Sequence, residues 1–169
     1  MKLRALTLHN PWAWALASSL KSVENRPWRT SYRGPFLIHA GKQWWGDDVD
    51  WINEVLAADY LGEQVPARED LAFGAIVGVA RLTAVIDNGP RRVGSQSPWA
   101  SPDSPYHWCV EDATMLEGIE VSGAQGWWWL DTDTLGLDGP MGTRARRYFQ
   151  NELEEALENM GSSLSELEP

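Results

Sequence analysis

A chain of 169 residues with 43% hydrophobic and 22% charged side chains is globular in composition, long enough for one buried core, and without the run of about 18 apolar residues that crosses a membrane. Cys109 is the single cysteine, which excludes an internal disulfide, every zinc pattern that needs two thiolates, and with them the zinc deaminases. The net charge of -10 is uneven: residues 1–42 hold seven cations against Glu24 alone, a balance of +6 that leaves -16 on the rest. A basic quarter on an acidic body fits a protein that meets a polyanion, and equally one whose two parts neutralise each other within the fold.

Along the chain, "KLRALTLH" alternates as a strand does, and Asn10 with Pro11 opens a helix expected to run through Leu20 with Ala13, Leu16, Ala17 and Leu20 inward. Trp12 and Trp14 fall on the flanks of that stripe. "SVENR" alternates again, so Glu24 and Arg26 share one face of a strand that Pro27 ends. A turn at "TSYRGP", a strand at "FLIHA" and a helix over "GDDVDWINEVLAADYLG" follow, the helix capped by Asp47 or Asp48 with Val49, Ile52 and Leu56 inward. "FGAIVGVARLTAVID" is the longest predicted strand, with Gly78 placed where a strand of a small barrel bends. The proline-rich stretch 88–105, with Arg91, Arg92 and Trp99, is a long loop that could lie over a ligand as a basic lid. "YHWCVEDATML" and "AQGWWWLD" complete the strands, Trp128 facing away from Trp127 and Trp129. A linker at 132–142 leads to a helix over 143–160 whose acidic half runs against its own dipole, and residues 161–169 are expected to be a disordered tail. "MKLRALTLHN" lacks the features of a secretory signal, and a cytoplasmic location is expected.

Taken in order, "LTLHNPWAWAL", "LKSVENRPWRTSYRGPFLIHAG", "GAIVGVARL", "YHWCV" and "QGWWWL" resemble the ASCH domain, a relative of the PUA-like barrels. The resemblance implies an α+β, mainly β fold: a small closed barrel over residues 1–131, flanked by helices, with a cleft near the first helix and the next strand. It also implies one of three activities, namely RNA or DNA binding, ribonuclease activity, or hydrolysis of an acetylated cytidine. Small bacterial amidohydrolases that look similar use a lysine, a threonine three residues later and a glutamate on the long strand. Here Lys21 keeps the first position, but Glu24 and Gly78 stand at the other two, and Ser22 would point away from Lys21. That departure argues against amide hydrolysis through an activated hydroxyl.

Taken together with that resemblance, the residues favour recognition of RNA, another single-stranded nucleic acid or a nucleoside-like small molecule, including a modified base. Glu24 can accept a hydrogen bond from an exocyclic amine, Lys21 and Arg26 can hold carbonyl or phosphate oxygens, Trp12, Trp28 and Tyr32 can stack on or wall a base, and Arg29 and Arg33 can meet phosphates. A metal-independent ribonuclease or hydrolase of an acylated nucleoside is the rival reading, with Lys21 and Glu24 as catalytic candidates and Tyr32 and His39 secondary. The plain structural reading of Glu24 and Arg26 is a same-face ion pair, and of His39 a buried, hydrogen-bonded histidine. His107 and Cys109, two apart on a strand, face one way, but no further ligands accompany them, so no metal and no cofactor is expected. Oligomeric state stays open between monomer and weak dimer.

Overall fold

The computed structural model describes residues 1–59, 62–89, 96–133 and 140–169. Its elements are β1 (Lys2–Asn10), α1 (Trp12–Ala17), β2 (Val23–Arg26), β3 (Gly34–Trp44), α2 (Val49–Asp59), β4 (Ala75–Asp87), β5 (Tyr106–Glu120), β6 (Trp127–Asp131), α3 (Pro140–Asn159) and α4 (Leu164–Leu167). They form a mixed α/β fold around one six-stranded sheet in the order β2-β5-β4-β3-β1-β6. β1 and β3 run parallel, and the other neighbours are antiparallel.

Strand alternation sends one set of apolar side chains to each face. On one face Leu6, Leu8, Phe36, Ile38, Ala80 and Leu82 pack with Ala13, Leu16 and Ala17 of α1. On the other, Leu3, Ala5, Leu37 and Val79 receive Phe149, Leu153, Ala156 and Leu157 from α3, and Trp128 rests against the same cluster. A third cluster joins Val23 of β2 to Ile52 and Leu56 of α2 and to Trp99. Gly78 permits close layering: a Cβ there would lie 2.8 Å from the Thr114 carbonyl and 2.9 Å from Ala17 Cβ, so α1 sits on β4 only because the position has no side chain.

The expected closed barrel is corrected to an open sheet, and the reason lies at its two edges. β6 pairs with β1 only over Lys2–Leu6, and β2 is four residues long before Pro27. Among the described residues no ladder joins these edges; side chains fill the seam instead. Trp28, just beyond β2, meets Trp108 edge-on at 4.6 Å and Trp127 of β6 at 6.3 Å, while the Trp127 indole N–H donates to Thr30 Oγ1 (3.1 Å). The sheet thus curls until its edges are linked by indole rings rather than by backbone.

Both ends of the chain are fastened. Residues 161–169, expected to be disordered, include α4 with a Ser163/Glu166 capping box, and Leu167 is fully buried. Arg81 donates to the Met160 carbonyl (2.9 Å) and to Ser162 Oγ, and the Tyr32 hydroxyl reaches the Glu166 carbonyl (3.2 Å). The acidic side of α3 finds β5 rather than the basic N-terminal segment, since the Glu152 carboxylate accepts from the Glu117 amide at 3.0 Å.

Candidate functional site

The predicted first helix ends three residues early, and that early end builds the site. Ser19 takes a left-handed backbone (φ 62°), after which the amides of Leu20 and Lys21 both donate to the Ala15 carbonyl at 3.1 and 2.9 Å. This turn carries Lys21 back under α1, where its side chain is 1% exposed. At the other end of the helix, Asn10 is buried: its Oδ1 accepts from the Trp14 amide (3.3 Å) and its Nδ2 donates to the Ala72 carbonyl (2.8 Å).

Lys21 Nζ donates to Glu24 Oε2 at 2.5 Å, and Arg26 Nε lies 3.1 Å from Glu24 Oε1. Arg26 also donates through Nη2 to the Thr7 carbonyl at 3.0 Å, at the point where β1 has run past β6. Arg26 therefore bridges β2 to β1 beyond the reach of β6, with Glu24 beside it and Lys21 buried behind. Glu24 and Arg26 keep 12% and 16% exposure there, so the group is covered yet reachable. Trp12 forms a wall, with its ring centroid 5.7 Å from Lys21 Nζ and its indole N–H held by Asp48 Oδ2 at 2.8 Å.

Two cations share one carboxylate, which fixes the electrostatics. Burial pulls the Lys21 ammonium below the ordinary lysine range; Glu24 opposes that shift, and Arg26 adds to it. Burial alone would raise Glu24, but Lys21, Arg26 and the Lys21 hydrogen bond outweigh it, with a contribution from His9, and hold the carboxyl below its usual value. The result is a carboxylate held ionised between two basic side chains.

Other predicted residues lie elsewhere. Trp28 and Tyr32 pack against the cluster under α1, and the Tyr32 hydroxyl donates to the Pro35 carbonyl at 2.5 Å. Its ring carries the Arg4 guanidinium at 4.0 Å, which Trp129 covers at 4.3 Å. Arg29 and Arg33 are exposed, and Arg33 bonds the carbonyls of Thr30 and Tyr32. His39 is 3% exposed; its Nε2–H donates to the Val121 carbonyl (3.0 Å), its Nδ1 lies 3.2 Å from Thr7 Oγ1, and burial lowers its pKa. It is thus committed to structure rather than open to a substrate. His107 Nε2 donates to the Ser101 carbonyl at 2.8 Å, and burial raises the Cys109 thiol. Among the described residues no group of three or more His, Cys, Asp or Glu is placed to hold a metal ion. Arg91 and Arg92 lie outside the described residues, whereas Trp99 is buried and its loop is pinned by Asn25, which donates to the Trp99 carbonyl and accepts from the Ser101 amide. Ser22 is exposed and pairs with Ser97 Oγ at 3.2 Å.

Three residues beside the site were not singled out from the sequence. His9 stands near enough to Glu24 and Arg26 to feel both charges, and its ring leans on Trp45 at 5.3 Å. Trp45 and Trp51 are 49% and 43% exposed. His9 belongs to the alternation of β1 and Trp51 to an acidic helix, so only the tertiary packing of His9 near Glu24 and Arg26 and of Trp51 against Trp12 marks them.

The family model of the ASCH domain matches residues 6–118, a span that holds α1, the seam and the Lys21–Glu24–Arg26 group. The chain belongs to the ASCH domain family. Activating signal cointegrator 1 of Homo sapiens is 28% identical over 132 residues, and that of Mus musculus is 28% identical over 133. Each alignment takes in 75% of this chain but 22% of the relative, so the ASCH chain spans about a fifth of their length. Two solved structures of ASCH from Zymomonas mobilis, one of them a serine-to-alanine mutant, are 15% and 14% identical, with TM-scores of 0.45. They cover 77% and 84% of this chain, and 88% and 92% of their own.

Proposed function

We propose that this ASCH protein binds RNA or another single-stranded nucleic acid, with one base, plain or modified, entering the seam between β1 and β2. The observation that carries the reading is the Lys21–Glu24–Arg26 group, a fixed acceptor between two basic side chains with Glu24 and Arg26 partly exposed. Glu24 accepts from an exocyclic base amine, Arg26 and Lys21 donate to carbonyl or phosphate oxygens, and Trp12 offers a flat wall. Exposed Arg29 and Arg33 extend the positive charge along the segment that leaves the site. Trp28 and Tyr32 support this segment from beneath. Residues 1–131 make up the binding unit, with α3 and α4 packed on the opposite face of the sheet.

One observation favours an enzymatic second reading: burial lowers the Lys21 pKa, which is what a lysine general base requires. The flanking chemistry weighs against it, because Glu24 replaces a hydroxyl and no side chain fits at Gly78. A labelled mixed-sequence single-stranded RNA, incubated with the protein with and without EDTA, separates the two. Salt-sensitive binding without cleavage, weakened by Lys21→Met, supports the binding reading. Cleavage that persists in EDTA and disappears in the variant replaces it with a metal-independent ribonuclease; a free acylated nucleoside as substrate tests the hydrolase form.

A further inference from the structure

Beyond the seam, on the far side of Trp12, lies a second concavity of different chemistry. Trp12, Trp51 and Trp99 meet with centroid separations of 5.7, 6.4 and 5.8 Å and interplanar angles of 48°, 86° and 81°. Together with Asp48, Pro98 and Pro102 they line a cavity of about 370 Å³. Trp99 is buried as its floor, and Trp51 stands 43% exposed as its wall.

We infer that this cavity is a binding site for an N-alkylated ammonium group, such as a trimethylated lysine side chain. Three mutually inclined indoles beside the Asp48 carboxylate make a lining that suits a cation with an apolar surface, with no competing cation among the described lining residues. Hydrogen-bond capacity then chooses between a bare and an alkylated ammonium. The carbonyls of Trp99, Ser101 and Pro102 are taken by Asn25, His107 and Asn88, and both side-chain ends of Asn25 are in use. A bare ammonium could give one N–H to the Asp48 carboxylate and would leave its others poorly matched, whereas a quaternary one asks for none. The segment that supplies Asp48 and Trp51 suits a basic ligand: residues 43–66 carry six carboxylates and no Lys, Arg or His. Trp12 thus serves two neighbours, with Lys21 close to its ring and the cavity lined by it.

The test follows the indole Nε1–H resonances of the full chain while adding one of four probes: a ten-residue peptide carrying trimethyllysine, the same peptide with the uncharged tert-butyl isostere, free choline, and a mixed-sequence single-stranded RNA. Shifts of Trp12, Trp51 and Trp99 with the trimethyllysine peptide are expected, and the neutral isostere should bind at least about tenfold more weakly. Trp51→Ala should cost a similar factor, its exposure letting the fold persist as judged by spectral dispersion. Choline alone moving the same indoles supports the site with a free quaternary amine as the source. Equal binding of peptide and isostere, no indole shifts with either cation, or larger shifts of the Trp51 and Trp99 indoles with RNA than with the peptide overturns the inference. The comparison of peptide with isostere uses the wild-type protein, so it decides the question even where a variant misfolds.

Discussion

Glu24→Gln removes the carboxylate that Lys21 and Arg26 share, and its cost follows from the distances. Breaking a buried ion pair by deleting one partner costs about 3–5 kcal/mol, because the remaining charge is left uncompensated. Glu24 keeps 12% exposure and glutamine can still accept from Lys21, so the lower end, about 3 kcal/mol, applies. Lys21→Met differs, since Glu24 keeps Arg26 at 3.1 Å and the methionine fills the lysine's volume; roughly 1 kcal/mol is expected. The asymmetry is the diagnostic feature. At about 2–4 °C per kcal/mol for a chain of this size, Glu24→Gln should lower Tm by about 6–12 °C. The pH dependence has a definite sign. Glu24 titrates below its ordinary 4.5 when folded, so its contribution is present above pH 4.5 and is lost as pH falls through the folded value; the glutamine variant should lack that acid limb. Lys21 titrates below its ordinary 10.5, so stability rises with pH between its folded value and 10.5, and losing Glu24 should move the start of that rise to lower pH. Urea denaturation from pH 3 to 10 measures all three effects. If Glu24→Gln costs no more than Lys21→Met, the two cations do not share that carboxylate and the reasoning fails.

Gly78→Ala should destabilise by about 1–3 kcal/mol in urea denaturation, because its Cβ would press on Ala17 and the Thr114 carbonyl; a neutral result would mean that α1 is not seated on β4 as described. Leu167→Ala should cost about 2–5 kcal/mol for a fully buried leucine, and wild-type stability would contradict the docking of α4. His39, held neutral by burial, contributes stability that is complete above pH 6.5 and lost as pH falls through its lower folded value. A His39→Gln variant should therefore have a flatter stability profile below pH 6.5 than the wild type, and parallel profiles would contradict that assignment.

Much of this was legible in the sequence because it rested on alternation. The same-face placement of Glu24 and Arg26, the inward set of Ile52 and Leu56, and the opposite facing of Trp128 each follow from a period of two or 3.6. What the sequence hid were matters of where an element stops. Nothing in "WALASSLKS" announces that Ser19 turns left-handed and ends α1 early, yet that turn buries Lys21. Likewise the pairing of β6 ends at Leu6, a fact of register that decides between a closed barrel and a seam plugged by Trp28 and Trp127. Tryptophan is ambiguous for the same reason: composition cannot tell Trp99, on the floor of a cavity, from Trp45, half in solvent. Leu167 escaped because a short apolar spot among serines and glutamates resembles a tail until α3 brings it back to the sheet.

The central claim is that nucleic acid enters the seam, and the most direct test is to map where it binds. A short mixed-sequence single-stranded RNA, added to isotopically labelled protein and followed through backbone amides, the Arg26 Nε–H and the Trp12 indole, reports on the seam residue by residue. The account predicts that the largest shifts fall on Lys21, Glu24, Arg26 and Trp12 and fade as salt is raised. Shifts confined to α3 or the β6 edge, or none at protein concentrations of tens of micromolar, would contradict it.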